Sequence, residues 1–157
     1  MKFWCAFLVI LPVMVRGFPD GAPVDACVKP RPNRPYHGQA KSQPPETLPY
    51  IVTASGYEYS PGTKITVTIK GDTFRGFFLQ ARDIAHEAWV GTWEEAPNTK
   101  GLPECSAITH GDNRDKLQAT LVWTAPEDIP GGQVYFTGSV VKDYATFWTD
   151  IVAQHAP

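Results

Sequence analysis

This chain of 157 residues carries almost no net charge. Its 14 basic side chains against 16 acidic ones leave a formal −2 at pH 7. Without a polybasic stripe it lacks the electrostatic means to hold nucleic acid or to insert into anionic membranes. Cysteine is scarce, at three residues with no Cys-x-x-Cys pair, which argues against a structural zinc site. No Gly-x-Ser-x-Gly, His-Glu-x-x-His or glycine-rich phosphate loop occurs, so the common hydrolase, metalloprotease and nucleotide-binding chemistries have no carrier. Asn33, Asn98 and Asn113 are each followed by the wrong residues for an N-glycosylation sequon. No segment keeps a helical period over three turns. What the chain has in excess is proline and glycine, 15 and 13 residues, with five tryptophans. There is no G-X-Y repeat, and 12% aromatics is too many for a disordered chain.

Residues 1–17 read as a secretory signal peptide. Lys2 supplies the positive start, Phe3 to Val15 is an apolar run broken only by Pro12, and Val15-Arg16-Gly17 offers small residues for cleavage before Phe18. The run, about 13 residues, falls short of the roughly 20 that a membrane span needs. Cleavage removes Lys2 and Arg16, so 12 basic residues face 16 acidic ones and the charge becomes −4. Cys5 leaves as well. Cys27 and Cys105 remain, and in an oxidising compartment such an even pair reads as a disulfide rather than two free thiols. Closing that loop would stabilise the fold by about 4 kcal/mol in the chain-entropy account.

Two regimes follow. Residues 18–49 hold Pro19, Pro23, Pro30, Pro32, Pro35, Pro44, Pro45 and Pro49. Proline fixes φ and removes backbone donors, so an irregular, extended arm is expected. Residues 50–152 change to period two. Ile65, Val67 and Ile69 alternate with polar neighbours, as do Leu117, Ala119, Leu121 and Trp123, and Val134, Phe136, Gly138 and Val140. Further strands are expected at 50–55, 74–82, 88–93 and 145–152. Turn signals such as Ser60-Pro61-Gly62, Gly111-Asp112-Asn113 and Pro130-Gly131-Gly132 separate them. About seven short strands so punctuated predict an all-β, immunoglobulin-like β-sandwich.

Particular blocks point to a family. Tyr59-Ser60-Pro61-Gly62, Phe77 to Arg82, Val90-Gly91-Thr92-Trp93, Cys105 with Thr109-His110, and Trp123-Thr124-Ala125-Pro126 keep their order from about Ala22 to Trp148. Together they resemble the reeler (reelin-type) domain, which would span 18–157. A leader followed by one such domain is similar to the small insect defense proteins of the nodulation-promoting (noduler-like) group. The resemblance implies a sandwich closed by a Cys27–Cys105 bridge, secretion into the haemolymph and a role in innate immunity. It supplies no active site that maps onto positions of this chain. No enzyme activity and no cofactor are therefore expected.

Binding is the remaining chemistry. Trp89 and Trp93 are in phase across Gly91 and would share a face; an outward face would stack sugar rings, with Glu94, Glu95 and Asn98 for hydroxyls. The alternative is a pair packed between sheets. Arg75 and Arg82 suit anionic groups, as on lipopolysaccharide or teichoic acid. His86-Glu87 and His110 with Asp112 are the only close acid–histidine pairs; they read as turn residues more readily than as a metal or acid–base site. The first functional reading is a secreted defense protein with antimicrobial effect, binding microbial cell-wall glycans or lipopolysaccharide, and haemocyte surfaces, without catalysis or membrane insertion. The second is an extracellular matrix or adhesion module. Some reeler domains precede membrane ferric reductase modules, but this chain has no haem-binding helix bundle.

Overall fold

The computed structural model describes residues 18–28, 34–35 and 37–157. The expected leader, residues 1–17, lies outside them. Twelve strands follow one another: β1 Tyr50–Ala54, β2 Glu58–Tyr59, β3 Lys64–Phe74, β4 Gly76–Asp83, β5 Ala88–Trp89, β6 Thr92–Trp93, β7 Thr99–Leu102, β8 Ala107–His110, β9 Lys116–Thr124, β10 Gly132–Asp143, β11 Thr146–Val152 and β12 Gln154–His155. Among the described residues there is no α-helix, only three single 3-10 turns. One sheet runs β12-β1-β3-β9-β6. The other runs β11-β10-β4-β8-β7, with β2 beside β10 and β5 beside β4. The fold is a two-sheet, all-β sandwich.

Alternation explains the core. Val52, Ala54, Ile65, Val67, Ile69, Leu121 and Trp123 from the first sheet meet Phe77, Leu79, Ala81, Ile108, Val134, Phe136 and Val140 from the second. Polar neighbours face water on the first sheet, where Thr53, Thr68 and Thr120 stand opposite one another across three strands. Leu117 shares the phase of the inward set yet is 72% exposed. It falls opposite the register shift between Lys70 and Phe74, beyond the end of the core.

Two expected strands divide. The segment 74–82 breaks at Arg75 into β3 and β4. A Cβ at Gly76 would come within 2.8 Å of the His110 ring, so glycine lets that ring close over the turn. The segment 88–93 breaks at Gly91, whose φ is +73°. Glycine adopts this left-handed conformation without the clash a Cβ would bring. There is also no room for a side chain, because a Cβ would lie 2.4 Å from Cε2 and Nε1 of Trp123. The chain uses this point to pass from the second sheet, where β5 pairs with β4, to the first, where β6 pairs with β9.

Trp123 is wholly buried. Its ring meets Tyr59 and Phe136 edge-on, both at 5.6 Å, and its Nε1 donates to the Val90 carbonyl at 2.9 Å. Indole burial with its one polar atom satisfied stabilises the centre of the sandwich.

Strand β4 does not alternate, since Gly76 through Ala81 are all buried. Phe77, Leu79 and Ala81 face the core. On the other side Phe78 packs with Ala26, Leu102, Cys105 and Ala107 in a second, smaller cluster. The N-terminal segment supplies that cover, held by the Cys27–Cys105 bond with Cα atoms 5.4 Å apart. Ala22 also donates its N–H to Thr109 Oγ1, and Phe18 O lies 3.0 Å from His110 Nε2. Farther along, Gln43 donates to Phe147 O and Thr149 donates to Ser42 Oγ. The segment thereby covers the edge of β11, which would otherwise be an open pairing edge.

Asp83 is buried, at 3% exposure. Tyr59 donates to Oδ2 at 2.5 Å, and the His86 amide donates to Oδ1 at 2.8 Å. The Tyr59 hydrogen bond leads in holding Asp83 below the ordinary carboxylate range, against the opposing effect of burial. The Tyr59 hydroxyl is pushed up to about 12, chiefly by burial and then by Asp83.

Gly91→Ala should cost about 3 kcal/mol, from overpacking against Trp123 and the unfavourable φ. At about 2–4 °C per kcal/mol this is a fall in Tm of roughly 10 °C. Gly56→Ala is the control, because a Cβ there meets nothing within 4 Å; equal Tm values for the two variants would refute the packing role. Asp83→Asn should destabilise by about 1–3 kcal/mol at pH 7. A depressed carboxyl stabilises above its unfolded pKa, about 3.9, and that contribution is lost as pH falls through the folded value. The gap between native protein and variant in denaturant titrations should therefore hold from pH 7 to about 4 and narrow below; a constant gap down to pH 2.5 would show that ionised Asp83 is not its source.

Candidate functional site

The outer face of the second sheet carries a row of three side chains on adjacent strands. Trp89 on β5 stands opposite Arg82 on β4, and Arg82 stands opposite Tyr135 on β10. Each is partly exposed. The Arg82 guanidinium lies over the Trp89 ring, 5.0 Å from its centroid. Among the described residues no carboxylate pairs with Arg82, whereas Arg75, Arg114, Lys64, Lys116 and Lys142 are all so paired. The neighbouring Asp83 points into the core toward Tyr59. Arg82 thus presents a positive fork stacked on Trp89, with Tyr135 beside it in register on β10. A guanidinium stacked in this way keeps its N–H edges free for bidentate contact with phosphate or carboxylate.

Trp93 is elsewhere. The shared face expected for Trp89 and Trp93 does not form, because the turn at Gly91 puts them in different sheets. Trp93 points inward, packs on Phe136 at 5.6 Å, and donates Nε1 to the Ser106 carbonyl at 2.9 Å. That bond ties β6 of one sheet to the turn before β8 of the other. Beside it the two sheets leave a cleft of about 290 Å³, walled by Trp93, Leu102 and Pro103 with Glu95, Gly101 and Ser106.

The other expected residues are in use. Arg75 pairs with Asp115 through Nε at 3.0 Å in the turn before β4, roughly 20 Å along the strand from Arg82 at about 3.3 Å per residue. The two arginines form no joint site. Glu94 is bound to Lys64, and Asn98 Oδ1 accepts from Arg114. His86 serves Asp83 within its turn. His110 is partly buried, and burial lowers its pKa against the bonds to Phe77 and Phe18. Asp112 binds Arg114 and Lys116, which hold its carboxyl far below the ordinary range. Among the described residues no three His, Cys, Asp or Glu side chains gather as a metal site.

Two participants escaped sequence reading. Tyr135 was legible in principle, since Val134 and Phe136 alternate around it and leave it outward. Gly101 carried no signal; only the pairing of β7 with β8 sets it opposite Ile108, at the mouth of the cleft.

The Reeler domain family matches residues 25–156. The chain is 36% identical over 146 residues to "Putative defense protein 3" of Antheraea mylitta, covering 88% of this chain and 85% of that one. It is 33% identical over 168 residues to "Putative defense protein" of Bombyx mori, covering 98% and 93%. It also matches "Putative ferric-chelate reductase 1" of Danio rerio at 29% identity, covering 88% of this chain but 25% of that protein. Among solved structures, the human F-spondin reeler domain superposes with a TM-score of 0.57 at 20% identity, covering 76% and 96%; this shows the fold alone. By sequence and by architecture, the chain belongs to the reeler domain family.

Proposed function

We propose that the protein is a secreted defense protein that binds anionic polymers of microbial surfaces through the Arg82 row and performs no catalysis. Its relatives named as defense proteins support a defense role. The observation that carries the binding site is the stacked Arg82 guanidinium without a carboxylate partner among the described residues. The ligands are phosphate-bearing glycans, lipopolysaccharide or teichoic acid, with Trp89 and Tyr135 stacking on sugar rings. Haemocyte surfaces bearing anionic glycans would be held in the same way, in the haemolymph of an insect source. At a mature charge of −4 the protein acts by recognition and agglutination, since lysis by cationic amphipathic segments needs the opposite sign. No helix among the described residues is long and apolar enough to cross a membrane. The reductase likeness covers a quarter of that protein and brings no redox activity with it.

Purified protein should sediment with whole bacteria and with immobilised lipopolysaccharide or lipoteichoic acid. Arg82→Ala should weaken this binding by about 10- to 100-fold, the worth of one charge-assisted contact. Arg75→Ala should change it less than twofold. Native protein that binds no better than an unrelated secreted sandwich, or an Arg82 variant that binds normally, would overturn the proposal.

A further inference from the structure

The cleft between the sheets is a second site, independent of the Arg82 row. A sandwich normally fills the space between its layers with side chains from both sheets. Here the edge strand β7 carries Gly101, which is exposed, and a Cβ built there meets nothing within 4 Å, so the glycine leaves the cleft open at its mouth. Its register partner Ile108 belongs to the core, so the gap opens next to packed hydrophobic residues. The cleft that Gly101 lines holds about 290 Å³.

The walls are fixed. Trp93 is locked between Phe136 and the Ser106 carbonyl, so its indole cannot swing in to fill the gap. Ser106 holds a left-handed conformation, φ 48° and ψ 47°, although it carries a side chain. Such a conformation costs on the order of 1 kcal/mol or more and persists where surrounding contacts enforce it. It turns the Ser106 carbonyl to receive two donors, Trp93 Nε1 and the Ala81 amide. The cleft is thus an aromatic wall held open by the fold.

Charge selects the occupant. Glu95 is the one charged side chain lining the cleft. Among the described residues it has no ion-pair partner, in contrast to the adjacent Glu94, which is bound to Lys64. Glu95 and Trp93 line the same cleft, and a carboxylate and an indole ring each attract a cation, the first by direct charge and the second by cation–π interaction. Thr92 and Ser106 also line the cleft and bring hydroxyl groups to it. The volume lies at the small end of ligand sites, which run from about 300 to 1,000 Å³.

We infer that this cleft binds a compact organic ammonium ion of about monosaccharide size, its cationic nitrogen between Glu95 and the Trp93 ring. A de-acetylated amino sugar and a choline headgroup both carry that chemistry.

The test uses the whole mature protein with glucosamine, choline chloride, N-acetylglucosamine and glucose as probes, followed by the indole N–H signal of Trp93 in proton–nitrogen correlation spectra. Glucosamine and choline should each shift that signal with saturation, and the tighter of the two names the source. N-acetylglucosamine and glucose, which lack the charge, should leave it in place. Glu95→Gln should weaken binding at least tenfold. Gly101→Val should abolish it with Tm little changed, because its side chain enters empty space. Arg82→Ala should leave it intact, which separates this site from the anion-binding one. No shift with either ammonium probe, an equal shift with N-acetylglucosamine, or normal binding by Glu95→Gln would overturn the assignment. The last holds even if the Gly101 variant fails to fold.

Discussion

The indole of Trp123 lies against the bare backbone of Gly91, and the rest of the molecule is arranged by that contact. The ring is the largest fully buried side chain among the described residues. Its Nε1–H donates to the carbonyl of Val90, one residue before the glycine. No other amino acid could bring the chain this close. At this point the backbone leaves one sheet and joins the other. Trp89, before the crossing, ends on an outer face beside Arg82. Trp93, after it, ends between the layers. One packing constraint in the core thereby sends five consecutive residues to two surfaces of different character.

A second constraint concerns β4, which is covered on both sides. Antiparallel sheets ordinarily leave one face to water, and the first sheet does so with its threonine-rich exterior. The second does not, because the segment through Ala26 and Cys27 lies over Phe78 and is bonded to Cys105. This cover stops short of Arg82, where β5 takes over as neighbour. The partly exposed row of Trp89, Arg82 and Tyr135 begins at the margin of this cover, where Trp89 packs against the small cluster.

Much of the fold was legible because it follows period two. The alternating sets on β3, β9 and β10 marked the core, Leu117 apart, and the two cysteines beyond the expected leader implied their bond. Legibility failed where a face was covered by something remote in sequence. Ala107-Ile108-Thr109-His110 shows no alternation because the core buries one side and the N-terminal segment the other, so β7 and β8 passed unread. It failed again at Gly91. Period two assumes a continuous strand, and a single residue with positive φ reverses the inference for Trp93. Arg82 and Trp89 were recognisable as candidates by residue type, but their stacking depends on pairing β5 with β4. The empty space above Gly101 depends on two sheets meeting at their edges, which no local pattern encodes.

We propose that this reeler domain carries two sites of opposite preference, the Arg82 guanidinium for anions and the cleft lined by Glu95 for ammonium groups. The indole N–H signals of Trp89, Trp93, Trp123 and Trp148 can be followed separately in one sample. Addition of short lipoteichoic acid fragments free of amine substituents should move Trp89, and subsequent glucosamine should move Trp93, with Trp123 and Trp148 unchanged throughout. Movement of the same indole by both ligands, or movement of neither Trp89 nor Trp93, would contradict the account.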